Sequence, residues 1–190
     1  AGTRILAIRL KHLGLPTLIN FFQAMQALSD LSILADRQSL QDSVVALCLF
    51  PKLTSLSLDV DSDSPEQLDL STLQPLTALR KLECYYWNQV ELSCSTALSQ
   101  LTYLAFSQGC SFVIDAALPN LQELLVDSAD SVKLTGKHLL LPQLTELSLC
   151  IAKCAAVNWQ AMPELASLWA TCETCEFDAT GLRMLSRLTS

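Results

Sequence analysis

One short phrase recurs down this chain and limits what it can fold into. At residues 144–149 it reads Leu-x-x-Leu-x-Leu, with Leu144, Leu147 and Leu149 separated by polar Glu146 and Ser148. Its leading residues are Ile5, Leu28, Leu53, Leu79, Leu101, Leu121, Leu144, Leu165 and Leu185, so it returns every 20 to 26 residues. Spacings of three and then two do not follow one face of a helix. The final pair alternates with polar residues, which is the pattern of a short strand with one buried face. A strand this short needs neighbours, and a fixed period supplies them. Each unit then buries its apolar positions against the next, as a solenoid does.

Between the phrases the pattern changes along the chain. Leu15, Leu18, Ile19, Phe22, Met25 and Leu28 step by three or four, which predicts an amphipathic helix with Pro16 near its first turn. Residues 39–50 predict a second helix, less cleanly, through Leu40, Val44, Leu47 and Leu49. Residues 61–65 (DSDSP) form a polar turn cluster and lack the Gly and Glu of a calcium loop. Beyond it, small alternating pieces recur at Leu68–Leu70, Val90–Leu92, Phe112–Ile114, Val132–Leu134, Val157–Trp159 and Cys175–Phe177. They predict a second, narrower row of extended chain in place of helices. Pro75, Pro119, Pro142 and Pro163 each stand shortly before a phrase, where a turn suits proline and a central strand does not.

The phrase and its period resemble the leucine-rich-repeat family, along essentially the whole chain. The irregular spacing is most similar to intracellular repeats of the F-box type or of algal and plant proteins. This resemblance implies an α/β fold: a right-handed leucine-rich-repeat solenoid of about nine repeats. Its concave side would be a parallel β-sheet, and its convex side short helices and extended segments. One departure stands out. The ninth position of the phrase, often Asn or Cys in the family, is Leu13, Asp36, Asp61, Trp87, Gly109, Ala129, Ala152 and Glu173 here. The amide ladder that guides the chain out of each strand is absent, which leaves the turn geometry open. Residues 1–190 read as a single solenoid. With no polar cap at either end, the expectation is a fragment of a longer repeat protein.

Charge narrows the function classes. The formal net charge is −7, with no basic footprint for nucleic acid. No apolar run approaches the ~18 residues of a membrane-spanning helix. None of the Asn residues begins an Asn-x-Ser/Thr acceptor, which tilts the expectation toward the cytoplasm.

The eight cysteines are the main lure toward chemistry. Cys150 and Cys154, then Cys172 and Cys175, are spaced like a four-cysteine zinc site. The repeat register opposes it, because Cys150 and Cys172 fall at positions seven and eight, whose side chains point to opposite faces. Cys154 and Cys175 share position eleven of adjacent repeats, and whether they pair is left open. Cys84 occupies a leucine slot as an apolar filler. His12 and His138 lie about five strand spacings apart, some 24 Å, too far for one site. Neither stands near a nucleophile motif, and no Gly-rich phosphate loop is present. The reading is non-enzymatic, with no cofactor and no bound metal.

A binding face is the better-supported expectation. Positions three, five and seven of each phrase face solvent, beside the buried fourth and sixth. Small residues dominate there, so Tyr85, Tyr103, Leu125 and Trp169 stand out as anchors. Asp59, Glu83 and Asp127, with Glu123 and Glu146, form an acidic surround, while Arg9 and Lys11 lie at one end. The expected function is a protein–protein interaction module, whose partner segment would be basic or of mixed charge. The alternative, carried by the resemblance, is substrate recognition within an F-box-type ubiquitin ligase. A metal or enzymatic role for the cysteine group ranks last.

Overall fold

A computed structural model describes residues 5–10, 19–20, 27–35, 46–47, 50–60, 67–73, 75–93, 98–108, 111–172 and 187. The strands are β1 (Ile5–Leu10), β2 (Asp30–Ala35), β3 (Ser55–Val60), β4 (Gln67–Asp69), β5 (Lys81–Tyr85) and β6 (Gln89–Ser93). They continue as β7 (Tyr103–Ser107), β8 (Ser111–Asp115), β9 (Glu123–Leu134), β10 (Glu146–Val157) and β11 (Ser167–Cys172). Every pairing is parallel. Parallel neighbours need a crossover between them, and here each crossover is one turn of the solenoid.

The phrases build a main ladder in the order β1, β2, β3, β5, β7, β9, β10, β11. Leu56, Leu82, Leu104, Leu124 and Leu147 stack in register at level four of the phrase, and Leu58, Cys84, Phe106, Val126 and Leu149 at level six. All of these are buried. The predicted second row is present through β9, but in β10 it lies at Ala155–Val157 rather than Val157–Trp159, where Trp159 opens a 3-10 turn, and Cys175–Phe177 lies outside the described residues. Leu68, Val90, Phe112 and Val132 stand in register through β4, β6, β8 and the second half of β9, and β10 continues the row. The core lies between the two ladders. Phe106 of the first and Phe112 of the second stack across it, 4.2 Å between centroids.

Two backbone devices hold the turns. The carbonyl at position two accepts the N–H groups of positions two and three of the next phrase. That chain runs unbroken through Ser29, Thr54, Arg80, Thr102, Gln122 and Thr145. The hydroxyls of Thr54, Thr102 and Thr145 donate to the same carbonyls, at 3.0–3.2 Å. Before each phrase the leading Leu N–H closes a turn on a buried residue three positions back. These residues are Phe50, Leu76, Leu98, Leu118, Leu141 and Met162. Pro51, Pro119, Pro142 and Pro163 occupy the second place of such turns, where proline's fixed φ fits and no N–H is needed.

The exit from the strand answers the missing amide ladder. Tyr86, Gln108 and Ser128 stand at position eight of three successive phrases, and all have positive φ, 64°, 68° and 55°. The Tyr86 and Gln108 N–H groups donate to Ser107 and Asp127 of the next strand. Trp87 follows at position nine, buried, and its indole N–H donates to the Leu58 carbonyl at 3.4 Å. A left-handed corner and an indole do what the family's amide does.

Three expectations change. The fold is a parallel-strand solenoid in which the described residues are mostly extended chain. Nine repeats are not reached among the described residues: the main ladder has eight strands, and the phrase from Leu185 lies outside them. The helices expected over 15–28 and 39–50 fall mostly outside the described residues. Within those spans Ile19, Asn20, Ala46 and Leu47 are helical, and Ile19 packs against the core. Among the described residues from Leu68 to Cys172, extended strands and the short 3-10 turns Leu70–Leu73 and Trp159–Ala161 take the place of helices. The first phrase is also shifted by two residues. Ile5 pairs with Asp30, Leu6 with Leu31 and Ile8 with Ile33, so Ile5 stands at position three and not at position one. Both choices place the same residues inward, since the strand period is two, and only the neighbouring strand decides the level. Arg9 thereby moves from position five to position seven, opposite Leu34.

Candidate protein-binding face

Positions three, five and seven of the main ladder form its open face, and no other element packs across it among the described residues. Ala105 departs from the expectation. Its methyl is buried, shaded by Glu83 and Leu125 on the adjoining strands.

Side chains two apart on one strand share a face, and parallel neighbours lie ~4.8 Å away. This geometry gathers Lys81, Glu83 and Tyr85 of β5 with Asp59 of β3 and Tyr103 of β7. Tyr85 is level with Asp59, and Lys81 is level with Tyr103. Lys81 Nζ lies 3.0 Å from Glu83 Oε1 and 5.0 Å from the centroid of the Tyr103 ring. Besides burial, the Glu83 carboxylate also acts on the Tyr85 phenol and raises it. Glu83 therefore influences a cation and a phenol at once. Sequence reasoning left out Lys81, although its place two residues before Glu83 and level with Tyr103 was the available signal.

Electrostatics follow the packing. Burial is the largest influence on the Tyr85 phenol, which is pushed up to about 12, with the Glu83 and Asp59 charges adding to the effect. Burial raises the Tyr103 phenol too, with Glu83 adding and Lys81 opposing. The Lys81 ammonium is raised by its hydrogen bond to Glu83, against the opposing effect of burial. The cluster holds its phenols neutral and its ammonium charged at neutral pH.

The other expected residues are farther off. Leu125 is level with Glu83 but separated from it by β7, and Asp127 is exposed beside Ser107. Trp169 is level with Leu125 across β10 and is 58% exposed. It stands three strand spacings, roughly 14 Å, from the Tyr103 strand. The structure thus brings Asp59, Glu83, Tyr85 and Tyr103 together and leaves Trp169 as a separate projection.

Each strand of the main ladder carries one phrase, and every pairing is parallel. This is a leucine-rich-repeat-like solenoid. No protein-family model matches the chain, and no curated protein matches it. Among solved structures it is similar to the TLR13 chain of a crystal structure of a TLR13–ssRNA13 complex, with TM-score 0.46 and 13% identity. The match covers 96% of this chain and 35% of that one, so this solenoid spans about a third of that chain's length.

The cysteine constellation resolves in part. Cys84 and Cys150 are thiols outside any disulfide, the first buried and the second half-buried. Cys172 is disulfide-bonded, which the expectation of apolar fillers did not foresee. The side chains of Cys154 and Cys175 lie outside the described residues. Among those described, no group of three or more His, Cys, Asp or Glu is placed to hold a metal. A cavity of about 440 Å³ opens where β9, β10 and β11 turn the corner, lined by Ser128, Cys150, Ile151 and Cys172 among others. His138 is exposed, and its backbone N–H donates to the Asp115 carboxylate at 2.8 Å. His12 lies outside the described residues.

Proposed function

We propose that this solenoid is a protein-recognition module whose partner lies on the open face of the main ladder. The observation that carries it is the cluster of Lys81, Glu83, Tyr85 and Tyr103. These side chains are already fixed against one another on a continuous sheet, so little ordering is left for binding to supply. Half-buried phenols ringed by carboxylates are the composition of an interface centre rather than of a bare solvated sheet. Leu125, Asp127 and Trp169 extend the same face. The proposal assigns no catalytic residue and no cofactor, and the acidic face argues for protein rather than nucleic acid.

A photo-cross-linking side chain placed at Tyr103 tests it, with one at Glu91 on the second ladder as control. Partner adducts from position 103 and none from 91 support the face, and the reverse pattern removes it. Alanine at Tyr85, Leu125 and Trp169 should then abolish the adduct formed from position 103. An adduct whose ubiquitination depends on this protein would make it the substrate-recognition part of a ubiquitin ligase, the role the F-box resemblance suggests. The setting proposed with it is cytoplasmic, on the lack of Asn-x-Ser/Thr acceptors, with the Cys172 disulfide weighing against a reducing compartment; locating the tagged protein in cells tests it.

A further inference from the structure

The open face is strongly one-sided in charge. From β2 to β11 it carries the carboxylates Asp30, Asp59, Glu83, Glu123, Asp127 and Glu146. Among the described residues of those strands its one cation is Lys81, and Lys81 is held by Glu83. The order across the ladder matters more than the sum. Asp59 stands on one side of the Tyr85 and Tyr103 strands, and Glu123 and Asp127 stand on the other. An aromatic pair thus lies between two acidic flanks. At its centre an ammonium already rests over a tyrosine ring while paired with a carboxylate. Such a site attracts cations by ring and carboxylate together.

We propose that this face docks an extended cationic polypeptide segment, and that Lys81 holds the place of the incoming cation. The proposal rests on the recognition role above and names the chemistry of its partner. From β2 to β10 there are five strand spacings, some 24 Å, which an extended segment of about eight residues covers. An arginine of that segment displaces Lys81 from Glu83 and the Tyr103 ring, and its neighbours reach the flanking carboxylates. A guanidinium suits this exchange, since it stacks on a ring and forks onto a carboxylate at once.

The experiment is fluorescence anisotropy with a labelled peptide of alternating Arg and Ser, about eight residues long, and its Glu–Ser counterpart. The wild-type chain should bind the first and not the second, more weakly as salt rises. Glu83→Gln and Tyr103→Leu should each lose about fivefold or more. Tyr103→Phe keeps the ring and should keep binding, which separates loss of the site from loss of the fold. Glu91→Gln makes the same charge change on the second ladder and should stay within about twofold. Lys81→Met, which removes the resident competitor, should strengthen binding severalfold. Equal losses in Glu83→Gln and Glu91→Gln would reduce the effect to net charge and overturn the proposal. So would a Lys81→Met variant that binds no better than wild type, or a wild-type chain that ignores the Arg peptide. In that last case adducts at position 103 still report whether the face binds protein at all.

Discussion

Tyr85 shows how one side chain reports on its surroundings. Its phenol is pushed from the usual 10 up to about 12, first by burial and then by Glu83. Between those values the unfolded chain has released a proton that the folded chain keeps, so stability should fall as pH rises from 10 to 12. Ultraviolet titration of the phenolates checks this. Late ionisation should persist in Glu83→Gln, though at lower pH than in wild type, because burial remains. Gly136 makes a second residue-scale test. Its φ is +140°, and a Cβ there would lie 2.2 Å from the Asp115 side chain, whose carboxylate also accepts the His138 N–H. Gly136→Ala should cost about 2 kcal/mol in chemical denaturation, with faster exchange of the His138 amide. Thiols give a third. Without reductant the native chain should react at Cys150 and not at buried Cys84, and the denatured chain should show fewer than its eight cysteines as thiols. A full complement of eight would remove the Cys172 disulfide.

Elements here are set by their ends more than by their middles. Position eight is left-handed in three successive phrases, and the side chains there are Tyr86, Gln108 and Ser128 rather than Gly or Asn; β5 and β7 end just before it, while β9 runs on to Leu134. A side chain in that conformation costs roughly 1 kcal/mol. Tyr86→Asn should therefore stabilise the chain by roughly 0.5 kcal/mol, seen as a higher midpoint of thermal unfolding. The second ladder was legible before the structure, because Val90–Leu92 and Phe112–Ile114 alternate just as strands do. The corner was not, since nothing in Tyr-Trp, Gln-Gly or Ser-Ala at positions eight and nine announces a positive φ. Pairing with the next strand imposes it.

At the scale of the molecule, stability passes from neighbour to neighbour. Leu104 lies at the middle of the main ladder and is fully buried, while Leu6 on β1 is only partly covered. Leu104→Ala should cost about 3 kcal/mol and divide hydrogen-exchange protection into two blocks, whereas Leu6→Ala should cost less and loosen only β1 and β2. The face that reads a partner follows from the same stacking. It places Lys81, Glu83 and Tyr85 beside Asp59 and Tyr103, residues 18 to 26 positions away along the chain.

What the sequence determined by itself was the period, the inward set of leucines and the outward set at positions three, five and seven. A two-residue alternation assigns faces without reference to anything else. It also named Asp59, Glu83, Tyr85 and Tyr103 as outward, which is as far as a face assignment goes. Tertiary structure alone decided which of them touch, that Lys81 sits at their centre, that Ile5 stands at position three, and how the chain turns at Tyr86, Gln108 and Ser128. Those are relations between strands, fixed by register, and register is a property of the neighbour as much as of the strand.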